Sequence, residues 1–145
     1  MEREKNLSIY RVASSGSDGG QPIMNDRVAA GFPSPAEDYS DVKLDLNRLV
    51  VRNPASTFYA RVSGLSMVGD GVDDGDLLVI DKSVEPTDGV LAVCFVDGEF
   101  TLKRFENHGD YGLLLPSNPD FEPIRVDADN EFLIWGVVTY VIKKM

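Results

Sequence analysis

A serine and a lysine in this sequence could together perform acyl-transfer chemistry. Ser66 stands in ARVSGLSMVGDGVDDGDLLVID, in a glycine-flanked turn between two apolar runs, and Lys103 stands in EFTLKRFE. A neutral lysine can remove the proton of a serine hydroxyl and so make it a nucleophile. Taken singly, the serine is typical of a turn and the lysine of an exposed strand edge. Only the pair indicates chemistry.

A Ser-His-Asp triad would have only one possible base in this sequence. His108 is the only histidine and lies in the loop ENHGDYG, an unpromising place for a Ser-His-Asp triad. A Ser-Lys dyad remains, and it requires a neutral lysine. An unperturbed lysine has a pKa of about 10.4 and is only about 0.04% neutral at pH 7. Desolvation in a small apolar pocket can impose the roughly 4 kcal/mol needed to bring that pKa close to neutrality.

A hairpin at Asp97-Gly98 predicts the surroundings of Lys103. Asp-Gly between two apolar runs favours a two-residue type I′ turn, which places Ala92 opposite Lys103 and Cys94 opposite Thr101. Directly opposed residues share a face, so the lysine lies among small uncharged side chains with no carboxylate directly across. Cys94 is then a buried packing residue. The other face is the predicted core surface, formed by Val93, Phe95, Phe100 and Leu102.

The elements that must position this pair are mainly strands. Runs rich in β-branched and aromatic residues alternate with Gly, Pro, Asn and Asp from residue 57 onward. They are TFYARV, DLLVID, GVLAVCFVD, EFTLKRFE, YGLLLP and FLIWGVVTYVIKK. Helical periodicity is nearly absent there, so we expect a mainly β domain, a sandwich or curled barrel of short strands. Before it, LDLNRLV predicts one helix with Asp45 as its N-cap.

The first 30 residues differ in composition from the rest. SSGSDGGQP is typical of a flexible linker, and LSIYRV before it could pair as an edge strand. In the following AAGFPSPAEDYSD, Pro33 and Pro35 favour an extended backbone, which is the conformation that a protease can bind in its active site. The sequence therefore predicts a flexible arm, residues 1–30, and a β-rich domain, residues 31–145.

Composition excludes several classes of function. The net charge of −10 argues against direct binding of nucleic acid, because such binding depends on Lys and Arg neutralising phosphates. No apolar run approaches the roughly 18 residues of a membrane helix, so a cytoplasmic protein is expected. One cysteine and one histidine cannot build a zinc site. GDGVDDGD resembles a calcium loop, but Val72 occupies the position of a required oxygen ligand. No metal and no cofactor is expected.

The stretch SGLSMVGDGVDDGDLLVID followed by VDGEFTLKRF resembles the LexA/UmuD family of self-cleaving serine proteases. The resemblance extends from about Ala29 to the C-terminus and includes LLPSNPDFEPI and WGVV. It is greatest to the UmuD-type members, which lack a helix-turn-helix domain. It implies that Ser66 is the nucleophile, that Lys103 is the general base and that Ala30-Gly31, within AAGFPSPAEDY, is the scissile bond. Leu65 stands where the family often has an acidic residue.

The same resemblance implies the partners. A RecA filament on single-stranded DNA is expected to stimulate cleavage during the SOS response to DNA damage. The processed chain, residues 31–145, is expected to form a homodimer and to join a UmuC-type polymerase in translesion synthesis, the process behind SOS mutagenesis. Backbone N–H groups at Ser66 and Gly64 are the expected oxyanion donors, since they lie in the same turn.

Two other interpretations stay open. A signal-peptidase-like protease shares the Ser-Met pair and the distant lysine, but the absence of a membrane anchor counts against it. A catalytically idle module that only binds a polymerase would have the same fold. The combination of Ser66, Lys103 and an Ala-Gly bond counts against this second alternative.

Overall fold

The computed structural model describes residues 7–13, 21–24 and 39–145. These residues belong to two units, one within Ser14–Arg52 and one within Met1–Ala13 and Asn53–Met145. The predicted scissile bond between Ala30 and Gly31 lies outside the described residues. The boundary between arm and domain at residue 30 therefore stays a prediction.

Strands dominate the described residues, which confirms the mainly β fold class. In chain order the elements are β1 (Ser8–Arg11), β2 (Gln21–Met24), β3 (Tyr39–Leu44), α1 (Leu46–Val50), β4 (Thr57–Arg61), a 3-10 turn (Val68–Asp70), β5 (Leu77–Asp81), β6 (Leu91–Val96), β7 (Glu99–Asn107), β8 (Gly112–Leu115), β9 (Ile124–Val126) and β10 (Phe132–Ile142).

The unit within Ser14–Arg52 contains the β2–β3 pair and helix α1. Asp45 caps α1 as predicted, since its side chain accepts a hydrogen bond of 3.0 Å from the Asn47 N–H. The assignment of the whole of SSGSDGGQP to a linker was wrong at its end, because Gln21 and Pro22 pair with β3. Proline argues against a strand because it cannot donate a backbone hydrogen bond, but it is tolerated in an edge strand. No helix in the described ranges is long and apolar enough to cross a membrane.

The larger unit contains one antiparallel sheet of eight strands, in the order β1-β4-β5-β10-β6-β7-β8-β9. Every strand predicted after residue 57 is present, and β1 confirms LSIYRV as an edge strand. β9 was not predicted, because its three residues are too few to show a period. β10 has bulges near Trp135 and near Thr139 that increase its local bend and twist.

The β6–β7 hairpin has the predicted register. Asp97 and Gly98 both have positive φ, 46° and 91°, as a type I′ turn requires. Ala92 consequently lies opposite Lys103 and Cys94 lies opposite Thr101.

Alternate residues of β6 belong to two separate core clusters, so the sheet is buried on both faces at this point. The predicted core face contributes Val93 and Leu102 to the larger cluster. Ala92 and Cys94, on the face of Lys103, belong to a second cluster with Leu114 and Val126. The lysine therefore points into an interior and not into solvent.

Candidate active site

Lys103 lies in the middle of β7 with only 1% of its surface exposed. Its Nζ atom donates hydrogen bonds to Thr101 Oγ1 at 2.7 Å and to the Leu102 carbonyl at 3.1 Å. Thr101 is two residues earlier on the same strand and so lies on the same face. The sequence had identified this threonine as a small neighbour but not as a partner of the amine.

Ser66 reaches the same point from the loop between β4 and the 3-10 turn. Its side chain is buried, with 3% exposure, and its Oγ atom is 3.1 Å from Lys103 Nζ. The structure therefore brings together the serine and the lysine that the sequence had singled out. The loop backbone is anchored through Met67, whose carbonyl accepts hydrogen bonds from Asp70 and Val72.

The surroundings of the amine contain a thiol in its neutral form. Burial raises the pKa of Cys94 to about 12, while the charge of Lys103 acts in the opposite direction. At neutral pH this thiol is therefore protonated, and it adds no negative charge beside the lysine. Ala92, directly across the hairpin, is fully buried as well. Such surroundings disfavour the charged form of an amine.

A small cleft lies beside Ser66. The segment that leads into β1 contributes to it, because Leu7 lies in its wall and packs against the larger core cluster. The other lining residues are Val62, Ser63, Gly64, Ser66, Met67, Thr101 and Leu102.

The two expected oxyanion donors lie in this loop. Gly64 donates its backbone N–H to Asp74 Oδ1 at 2.9 Å. Gly64 would therefore have to exchange this carboxylate for a substrate oxygen before it could stabilise an oxyanion.

The loop is also held by Ser117 and Asn118, which belong to the loop between β8 and β9. Ser117 donates its backbone N–H to the Ser66 carbonyl at 2.7 Å. Asn118 donates its side-chain amide to the Leu65 carbonyl at 2.9 Å. Nothing in the sequence links SNPDFEP to the serine, because the contact spans about fifty residues and depends on the sheet between them.

The acidic stretch GDGVDDGD forms ion pairs with a lysine near the C-terminus. Lys143 Nζ lies 2.5 Å from Asp73 Oδ2 and 2.6 Å from Asp76 Oδ2. Burial raises the pKa of Asp76, but hydrogen bonds from Lys143 and from the Asp73 N–H, together with the lysine charge, outweigh it, so the net pKa is lowered. Hydrogen bonds to the side chains of Asp73 and Asp76, together with the charges of these carboxylates, raise the pKa of Lys143. Val72, which stands at the position of a calcium ligand, is buried in the core.

His108 lies beyond the end of β7, where it pairs with Glu106 and stacks on Tyr111 at 4.9 Å between ring centroids. These contacts are at the turn into β8. Within the part of the chain that the structure describes, no three His, Cys, Asp or Glu side chains are grouped as metal ligands.

Comparison with known proteins assigns the family. The Peptidase S24-like family matches residues 22–139. Protein ImpA of Salmonella typhimurium is 43% identical over 130 residues, covering 86% of this chain and 84% of ImpA. Protein MucA of Escherichia coli is 42% identical over 135 residues, covering 92% of each chain. The LexA repressor of Acidithiobacillus ferrooxidans is 38% identical over 136 residues, covering 92% of this chain and 65% of the repressor. The chain therefore belongs to the Peptidase S24-like family and is a UmuD-type member of its LexA/UmuD proteins.

Proposed function

We propose that the chain is a self-cleaving serine endopeptidase in which Ser66 attacks the Ala30-Gly31 bond and Lys103 is the general base. The observation that carries the proposal is the 3.1 Å contact between Lys103 Nζ and Ser66 Oγ inside a buried site. General-base catalysis needs a nucleophile and a base within about 2.6–3.2 Å of each other. Membership of a peptidase family supports the same reaction class.

The partners of the amine are compatible with a neutral lysine. A neutral amine has two N–H bonds and one lone pair, whereas an ammonium has three N–H bonds and no lone pair. The Leu102 carbonyl can only accept, and Thr101 Oγ1 can accept as well, so these two oxygens suit the two N–H bonds. The contact with Ser66 is the one in which the lone pair can accept the hydroxyl proton.

The reaction follows in two steps. Ser66 Oγ attacks the Ala30 carbonyl carbon while its proton passes to Lys103. The tetrahedral intermediate then breaks the bond to Gly31, whose nitrogen takes the proton from the lysine and leaves as an amine. An ester between Ala30 and Ser66 remains. Water next attacks the ester as Lys103 removes its proton, the bond between Ser66 Oγ and the Ala30 carbonyl carbon breaks, and the lysine returns the proton to Ser66 Oγ.

Backbone N–H groups would stabilise the negative oxygen of the intermediate. We assign this role to Ser66 and Gly64, whose amides belong to the loop that carries the nucleophile. The Gly64 amide enters only after it releases Asp74. When the cleavage segment docks beside Ser66, the oxygen of its scissile carbonyl would replace the Asp74 carboxylate as the acceptor of the Gly64 N–H.

The burial of Lys103 favours catalysis over an idle interaction module. Removing a charged amine from water costs several kcal/mol, so a buried lysine is a poor choice for stability alone. A binding module would need only the outer surface of the sheet.

Cleavage would release the arm, residues 1–30, and leave the domain, residues 31–145. Release removes β1 from the edge of the sheet and Leu7 from the cleft. We assign the protein to the cytoplasm and to the SOS response, with a RecA filament on single-stranded DNA as the stimulus. The processed homodimer would serve a UmuC-type polymerase in translesion synthesis. The net charge of −10 supports recruitment through these protein partners and not through DNA itself.

Mass spectrometry of the full chain, incubated with RecA, ATP and single-stranded DNA, tests the proposal. The expected product begins at Gly31, and Ser66→Ala or Lys103→Ala should prevent its formation while the fold survives. A fragment beginning at Gly31 in either variant would refute the dyad. An intact wild-type chain would favour the idle module.

A further inference from the structure

We propose that Asn118 is a positioning residue that, together with Ser117, holds the Ser66 segment against Lys103. The inference rests on the proposed role of Ser66 as nucleophile. Both positioning residues come after Pro116, just beyond the end of β8, and belong to the loop that leads to β9.

Three hydrogen bonds to backbone carbonyls join this loop to the residues around the serine. The Ser117 N–H donates to the Ser66 carbonyl at 2.7 Å, and the Ser117 carbonyl accepts from the Gly69 N–H at 2.8 Å. The Asn118 amide donates to the Leu65 carbonyl at 2.9 Å. Residues before, at and after the nucleophile are therefore fixed by the loop that follows β8.

The two loops approach each other too closely for a side chain at Gly69. A Cβ atom there would lie 2.3 Å from the Ser117 carbonyl oxygen. The hydroxyl of Ser117 adds a further bond, because it accepts the Asp70 N–H at 3.0 Å. The contact is therefore close-packed as well as hydrogen-bonded.

One pair of strands carries both parts of this arrangement. β7 pairs with β8, and Arg104 lies opposite Leu115. Lys103 precedes Arg104, and Ser117 follows two residues after Leu115. The base and the loop that holds the nucleophile therefore project from the same end of one ladder, and that ladder sets the distance between Nζ and Oγ.

Asn118 offers a sharp test because its bond to the Leu65 carbonyl uses a side chain. Its Nδ2 atom makes that bond, while its Oδ1 atom accepts the Asp120 N–H at 2.9 Å. Asn118→Asp keeps the shape and the acceptor but loses the donor. Asn118→Ala removes both without adding charge.

Two rates should be measured on the full chain. The first is spontaneous self-cleavage as a function of pH. The second is modification by diisopropyl fluorophosphate, in which Ser66 Oγ bonds to phosphorus, fluoride leaves and the hydroxyl proton passes to Lys103. The second rate does not depend on docking of the cleavage segment. Both Asn118 variants should lower both rates by about ten- to a hundred-fold, since a misplacement of about 1 Å can cost a hundred-fold. The pH midpoint of Asn118→Ala should stay that of the wild type.

Asn107→Asp is the matched control. Asn107 also accepts a backbone N–H, that of Gly109 at 2.9 Å, but it lies at the turn between β7 and β8. It should keep wild-type rates.

Modification of the Asn118 variants at the wild-type rate would overturn the positioning role, whether or not cleavage slows. A loss of both rates would also overturn it if the Asn118 variants prove to be thermally unfolded at the assay temperature. Modification or cleavage that persists in Ser66→Ala, or is absent from the wild type, would instead refute the proposed function.

Discussion

A carboxylate placed beside Lys103 should inhibit cleavage by keeping the lysine charged. The position to change is Cys94, which is fully buried, lies opposite Thr101 and already interacts electrostatically with the lysine. Cys94→Asp adds little volume and one negative charge. The matched variant Cys94→Asn has nearly the same shape without the charge.

The size of the effect follows from the geometry. Lys103 Nζ is 2.7 Å from Thr101 Oγ1, and residues 94 and 101 are direct cross-strand partners whose Cβ atoms are about 5 Å apart. We take this cross-strand separation of about 5 Å as the distance between a carboxylate at position 94 and the amine. At an effective dielectric constant of about 20 the attraction is about 3 kcal/mol, which corresponds to roughly a hundred-fold fall in the neutral fraction. Cleavage at neutral pH should fall by the same factor.

The assay is spontaneous cleavage of the full chain followed across pH. Cys94→Asp should regain wild-type rates at higher pH, because the amine then loses its proton despite the carboxylate, whereas Cys94→Asn should stay close to wild type throughout. Equal losses in both variants at every pH would mean that packing and not charge governs the site. That outcome would refute the argument from desolvation.

Three further outcomes are expected. Cleavage of the unmodified chain should accelerate as pH rises through the pKa of folded Lys103 and then level off, and a flat rate between about pH 6 and 11 would contradict the lysine base. The lowered pKa of Asp76 contributes stability that is lost as pH falls through it, and the raised pKa of Lys143 contributes stability that is lost as pH rises through it. Lys143→Met should therefore lower the free energy of unfolding, measured with denaturant, mainly between about pH 5 and 10. The same loss of stability at all pH values would exclude a contribution from the charges of Lys143 and Asp76. Gly69→Ala should cost about 1–3 kcal/mol in urea unfolding, because its Cβ would meet the Ser117 carbonyl, and a cost below about 0.5 kcal/mol would show that the loops can separate freely.

The surroundings of Lys103 could be predicted because they depend on a local signal. Asp97-Gly98 sets the turn, the turn sets the register, and the register places Ala92 across from the lysine. Alternation along the strands then assigned the buried face. The residues that cover the face of Cys94 and Lys103 were not predicted, since Leu114 in β8 and Val126 in β9 lie far along the chain.

The position of Ser66 could not be derived from spacing. Its loop is held by Ser117 and Asn118, which are near it only because β7 and β8 pair, and a turn-forming SNP has no distinctive pattern. The β2–β3 pair was missed for a related reason. Pro22 lowers the strand propensity of β2. Its partner β3 lies beyond the predicted cleavage region, so no local sequence pattern indicates the pairing.

The charge state of Lys103 in the intact chain decides whether this lysine can act as the base. Nitrogen-15 NMR of the lysine side chain can follow its titration in full-length Ser66→Ala, which keeps the chain whole during the measurement. The proposed mechanism predicts a midpoint well below the ordinary lysine value, because the amine is buried among Ala92, Cys94 and Thr101. A midpoint at or above the ordinary value would contradict the assignment of Lys103 as the base that activates Ser66.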